Sequence, residues 1–294
     1  MTLIAELASI VAPVFICAAI GFLWAKRGLP FDNAVITTLV FNVGGPCLIL
    51  ATFAKVELGA GALAEIAAAS VAAYFGFAAV GYAVLRAARL SLASYLPAVI
   101  FPLSGSMGLP VCLFAFGDEG LALALVFFVF GAVGTFTVGA TIAAGSVSLA
   151  RIARTPVFYA AILAVGLELA GIDLPRWAFN TAELLGGIVI PTLLVALGLA
   201  LARLRVKSLG RSVALAALRL AAGAAIGWGV AEAFGLGPVA SAVVILQSAM
   251  PVAVSSYLFA QMYGREPEEV AGMVLVSTLL SFATLPLLLA LLLP

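Results

Sequence analysis

Phe101-Pro102-Leu103-Ser104-Gly105-Ser106-Met107-Gly108-Leu109-Pro110 and Gln247-Ser248-Ala249-Met250-Pro251-Val252-Ala253-Val254-Ser255-Ser256 are the two stretches on which the fold of this chain turns. Each lies inside a long apolar run, yet places polar and small residues with a proline near the middle. An unbroken apolar helix would prefer leucine there. Proline sits well at the first position of a new helix, so the spacing predicts that each segment unwinds and restarts near Pro110 and Pro251. The competing reading is a pair of proline-kinked packing helices with small residues at close contacts.

Working outward, 65% of the 294 residues are hydrophobic and only 9% are charged. Soluble domains carry about 25% charged residues and about 45–50% apolar ones. A soluble fold could not hide so much apolar surface, because its own surface must be wetted. Lipid is therefore the expected solvent. A net charge of +1 gives no support to a nucleic-acid partner. Histidine is absent, and Cys17, Cys47 and Cys112 stand singly in apolar stretches. No zinc spacing, redox pair or Cys/His nucleophile can be built from that set, so no metal, cofactor or enzymatic activity is expected. Lys26 and Arg27 follow the first apolar run instead of preceding it, which argues against a cleaved signal peptide.

A spanning helix needs about 20 mostly apolar residues. Reading between charges predicts ten spans, at 3–25, 33–54, 61–85, 94–116, 120–144, 155–171, 179–202, 211–234, 237–262 and 268–293. The runs are apolar on all sides, unlike the alternating strands of a membrane barrel. The expected fold is therefore an all-α polytopic membrane protein. Loops after odd-numbered spans hold Lys26, Arg27, Arg86, Arg89, Arg151, Arg154, Arg203, Arg205, Lys207, Arg211 and Arg265. Loops after even-numbered spans hold only Lys55 and Arg176. Basic loops stay in the cytoplasm, so both termini are expected outside it.

The two halves of the chain resemble each other. Ala12-Pro13-Val14-Phe15 matches Thr155-Pro156-Val157-Phe158, and Leu29-Pro30 matches Leu174-Pro175. Pro46, after Gly44-Gly45, matches Pro191, and Gly108-Leu109-Pro110 answers Ala249-Met250-Pro251. Proline is unfavourable inside helices, so four coincidences at one approximate period point to a repeat. Residues 1–145 and 146–294 then form two five-helix units, without a soluble domain. Five is odd, so the second unit enters the membrane inverted, as in secondary transporters.

In that frame the fourth and ninth spans are broken helices whose positive N-terminal ends point at the midplane from opposite sides. Unwound backbone at such depth is tolerated only inside protein or against water. Such a place attracts a carboxylate. The candidate binding residues are Ser104, Gly105, Ser106, Gly108, Pro110, Gln247, Ser248, Pro251, Ser255 and Ser256. Asn42 and Pro46 in the second span and Thr192 in the seventh are candidates for the same cavity, a plain helix kink being the rival reading for each. Arg219 lies eight residues beyond Arg211, about 12 Å into its helix. It either pairs with an anion on the cytoplasmic path or snorkels back to the inner surface, the simpler expectation. Glu6, Glu65, Glu168, Glu183 and Glu232 fall near the outer ends of their spans, so no carboxylate for sodium or proton coupling is visible at mid-span.

Ala249-Met250-Pro251 followed by Leu258-Phe259-Ala260-Gln261-Met262-Tyr263-Gly264 resembles the auxin efflux carrier family, in particular its bacterial members. So do Val276-Ser277-Thr278-Leu279-Leu280-Ser281, Thr284-Leu285-Pro286, Gly108-Leu109-Pro110 with Phe116-Gly117, and Pro191 with Ala196-Leu197-Gly198. The resemblance implies ten helices with crossed, broken fourth and ninth spans, a scaffold moving against a transport domain, and small organic anions such as dicarboxylates or auxin-like acids as substrates. The accompanying expectations are the bacterial inner membrane, alternating access in the efflux direction, and as partners the substrate, the bilayer and a second copy in a homodimer, with no nucleic acid. Family members often carry Asn where this chain has Leu103 and Ser255. The rival classes are a sodium-coupled symporter of the bile-acid type and, further off, a membrane-embedded sensor or enzyme.

Overall fold

The computed structural model describes residues 3–56, 59–145 and 156–293. The predicted junction of the two halves, with Arg151, Arg154 and Thr155, lies outside the described residues, as do the side chains of Glu6 and Glu168. Among the described residues there are fourteen α-helical stretches, three π-helical turns and no strand. Six helices among the described residues are long and apolar enough to cross a membrane: Leu7–Lys26, Gly61–Ala87, Ser104–Ala144, Arg176–Arg203, Leu209–Phe234 and Pro267–Leu292. Val40–Phe53, Phe158–Leu167 and Pro238–Ser248 are apolar but shorter. Several predicted spans are thus built of pieces, because glycine and proline interrupt them.

In chain order the stretches are α1 (Leu3–Lys26), α2 (Asn33–Leu39), α3 (Gly45–Phe53), α4 (Ala60–Ala87), α5 (Leu92–Ile100), α6 (Leu109–Gly134) and α7 (Ala140–Ala144). Then come α8 (Pro156–Ala170), α9 (Arg176–Gly186), α10 (Val189–Arg203), α11 (Leu209–Phe234), α12 (Pro238–Ser248), α13 (Val254–Met262) and α14 (Pro267–Leu292). Val40–Gly44, Ser104–Gly108 and Thr135–Gly139 are the π turns joining α2 to α3, leading into α6, and joining α6 to α7. Starts follow local chemistry. Ser91 Oγ accepts the Ser94 N–H at the head of α5 (3.3 Å), and prolines occupy the first turn of α3, α6, α12 and α14, where no intrahelical acceptor is needed. Gly117, at φ +66°, bends α6 where the sequence reading separates its fourth and fifth spans. A side chain there would be strained, and glycine is not.

Packing divides the helices into two neighbourhoods. α3 lies against α8 and α9, and α1 lies along α10. A Cβ on Gly198 would fall within 1.8 Å of the Ala18 carbonyl oxygen, and one on Gly21 within 1.9 Å of the Val195 oxygen. The α1–α10 pair therefore packs backbone to backbone, the way helices associate where lipid removes the ordinary hydrophobic drive. The second neighbourhood holds α4, α5, α6 and α11 to α14. Its centre is the junction between the end of α5 and the end of α12.

Candidate functional site

The site grows from two interruptions that meet. α5 stops at Ile100 and α12 at Ser248, and residues 101–103 and 251–253 run antiparallel past each other. The Leu103 N–H donates to the Pro251 carbonyl (2.7 Å), and the Ala253 N–H donates to the Phe101 carbonyl (3.1 Å). Pro102 and Val252 face each other between those bonds. A proline fits there because its nitrogen points away from the partner segment and has no proton to satisfy. The Val252 N–H, pointing away on the other side, donates to Ser277 Oγ of α14 (3.0 Å). Backbone groups that a broken helix strands at this depth are paired with each other instead.

This corrects the sequence reading at Pro110. The unwound residue in the first segment is Pro102, and Pro110 sits in the first turn of α6 behind the π turn Ser104–Gly108. The proline match of Pro110 with Pro251 therefore does not mark the residues that touch. Both prolines suit a helix start, but only tertiary pairing shows which interruption opens the backbone.

Around the crossing, Gln247 and Ser248 are inaccessible, at 0% exposure, and Ser104 and Ser256 are buried. Among the described residues the Gln247 carboxamide has the Cys112 thiol as a weak neighbour and makes no other hydrogen bond, and the hydroxyls of Ser248 and Ser256 lack a hydrogen-bond partner. The carboxamide rests against Gly108, where a Cβ would come within 2.2 Å of Gln247 Oε1. Gly105 and Ser106 are half-buried on the same turn, and Ser255 is half-buried at the head of α13. The first amides of the π turn and of α13 have no intrahelical acceptors, so both positive helix ends face the junction. This brings together every candidate from the two broken segments except Pro110, which stands one turn behind. Asn42, by contrast, is exposed in the π turn Val40–Gly44, while Pro46 and Thr192 are half-buried on α3 and α10. α10 packs against the Ser104–Gly108 turn, so Thr192 belongs to an adjoining helix.

Arg219 overturns the snorkelling expectation. Its side chain is 1% exposed, its Nη2 donates to the Ser248 carbonyl at the end of α12 (2.9 Å), and its guanidinium lies 4.6 Å from the centre of the Phe77 ring. Gly223 and Gly227 let α11 approach closely enough for this, since a Cβ on Gly223 would meet the Ser248 oxygen at 2.2 Å. Arg219 forms no ion pair among the described residues, and its Nε has no partner. Burying an ion costs several kcal/mol. A desolvated cation–π contact of ~2 kcal/mol and a helix C-terminus worth up to ~2 kcal/mol offset much of that. A cation with an unfilled donor is thus held at Ser248, the residue after the under-satisfied Gln247.

Sequence reasoning missed Tyr74 and Phe77 of α4, which sit in an ordinary apolar helix and wall the Arg219 side. Tyr74 interacts with Ser104 and with the Arg219 charge. It also missed Ser277, although Ser277, Thr278 and Ser281, all at 0% exposure in one apolar helix, were a readable signal. A second polar cluster lies apart from the crossing. Lys55 Nζ meets Glu183 Oε1 at 2.8 Å beside a cavity of about 360 Å³ that Asp118 and Thr52 also line. The Glu183 carboxylate, with Asp118 in support, raises the Lys55 pKa above its ordinary value, so this lysine stays charged through neutral pH.

No curated protein matches the chain. A family model described as membrane transport protein, the domain of the auxin efflux carriers, matches residues 140–289. That stretch includes α11, α12, the 251–253 segment and α13, and most of α14. Just over half of the chain carries the match, and the chain belongs to this family of membrane transporters.

Proposed function

We propose that the chain is a secondary transporter of ten spans in two inverted halves, 1–145 and 146–294, that moves small organic anions by alternating access in the efflux direction. The observation that carries this reading is the fully buried Gln247 carboxamide, with only the weak Cys112 thiol for a partner among the described residues, next in sequence to the Ser248 carbonyl that holds the Arg219 guanidinium, at the junction of two antiparallel broken segments. A donor-rich, positively biased junction with no acidic partner suits a carboxylate. The bend at Gly117 supports counting Ser104–Ala144 as parts of two spans, because 41 helical residues would otherwise extend about 60 Å, twice the hydrocarbon thickness. α6 and α10 flank the junction from the two neighbourhoods, so relative sliding of these groups would open it to either side. The family match lends no support to the bile-acid-type symporter.

The test is transport by the purified protein in liposomes loaded with short dicarboxylates or indole-type monocarboxylates. Saturable, membrane-potential-sensitive flux of one acid that collapses in Arg219→Gln is the expected result. Flux of cations or neutral solutes, with acids excluded, would sink the assignment.

A further inference from the structure

Two cavities away from the crossing share Phe53 in their walls, one apolar and one polar. The first, of about 610 Å³, is lined by apolar side chains throughout: Phe53, Leu63, Val129, Phe158, Ala161 and Val165 are among them. It lies between α4, α6 and α8. The second, of about 630 Å³, carries Lys55, Gly59 and Asp173 at its polar rim and meets the first at Phe53. Along α8 the apolar cleft runs from Phe158 to Gly166, about 12 Å of helix, close to the ~15 Å depth of one leaflet's hydrocarbon. The polar chamber continues beyond it to Gly171 and Leu174. Trp177, 75% exposed just past that rim, marks headgroup level as interfacial tryptophans do.

We propose that this pair of cavities binds a phospholipid with a primary-amine zwitterionic headgroup, its acyl chain in the cleft and its headgroup in the chamber. The charges at the rim select the headgroup. Lys55 spends one of its three donors on Glu183 and has two left for a phosphate. Asp173 is exposed, makes no ion pair among the described residues, and can accept hydrogen bonds from an ammonium. An anionic headgroup would satisfy Lys55 and repel Asp173. A quaternary amine would bring the charge without a hydrogen to donate. The bound chain would lie between α8 and the α4–α6 pair, the boundary between the two packing neighbourhoods, whatever substrate the crossing takes.

Native mass spectrometry of the purified full chain, titrated with phosphatidylethanolamine, phosphatidylcholine or phosphatidylglycerol, is the experiment. One phosphatidylethanolamine should be retained about tenfold more tightly than either of the others, the scale of one hydrogen bond between charged groups. Asp173→Asn should bring phosphatidylethanolamine and phosphatidylcholine level while leaving tail binding in place. Ala161→Trp, which fills the cleft, should lower retention of all three. Equal retention of the three lipids by the unaltered chain, or unchanged preference in Asp173→Asn, would overturn the proposal. So would a folded Ala161→Trp protein that keeps its phosphatidylethanolamine.

Discussion

At the scale of single residues, Gln247 separates function from stability. A buried carboxamide without partners costs roughly 1–3 kcal/mol relative to a satisfied or apolar group. Gln247→Met keeps the shape and removes the polar atoms, so melting temperature should rise while anion binding weakens at least tenfold. A thermal melt with and without substrate reads both. A variant that loses stability and binds normally would show the amide to be structural. Arg219→Lys keeps a charge but lacks the planar guanidinium that lies over Phe77, so it should restore only part of what Arg219→Gln removes. Leu103 and Ser255, where family members often carry Asn, flank the paired backbone. On the proposed reading, anion affinity rests more on the backbone and on Gln247 than on a symmetric pair of side-chain amides.

At the scale of elements, the two broken helices give an ordered set of proline effects. Pro251→Ala and Pro102→Ala allow the helix to extend through the junction, since alanine is about 3 kcal/mol more favourable than proline inside a helix. Each should lower transport and ligand-induced stabilisation while the fold survives. Pro110→Ala, in the first turn of α6, should change both by little, and liposome flux of the three variants side by side checks that order. Equal losses in all three would mean that the restart at α6, not the crossing, holds the substrate. The α1–α10 pair makes a separate prediction. Gly198→Ala places a methyl against the Ala18 carbonyl, and overpacking of this kind costs ~1–3 kcal/mol or more. Its signature is a lowered melting temperature with substrate affinity unchanged in the protein that remains folded.

At the scale of the whole molecule, basic residues and absent acids make two predictions. The loop between α10 and α11 holds Arg205 and Lys207, and the turn before α4 lies on the opposite side in the proposed topology. Introduced cysteines at Ser208 and Gly59 should therefore label from the cytoplasm and from outside, respectively, with an impermeant maleimide. The reverse pattern would invert the protein. Arg219 has no ion-pair partner among the described residues, and Glu183 and Glu269 are paired with Lys55 and Arg211 near helix ends. Replacing sodium by potassium or choline should consequently leave flux within about twofold, because the span assignment from sequence puts no carboxylate at mid-span to be neutralised. A steep loss would show that backbone and hydroxyl oxygens hold the ion.

The sequence alone determined that lipid is the solvent and that the chain is helical, because apolar runs of spanning length with so few charges admit no other solvent. It also located the two broken segments, since polar residues and proline at mid-run have no place in a plain membrane helix. Only the tertiary structure decided which residues meet. Pro102 and Pro110 have the same local preference, and only the backbone pairing of 101–103 with 251–253 distinguishes them. Arg219 likewise reads as a snorkelling side chain until Phe77 and the end of α12 are known to surround it. Periodicity and spacing report what a segment does with its own hydrogen bonds. A buried charge and a paired break are settled by groups more than 25 residues away, and those become neighbours only when the helices pack.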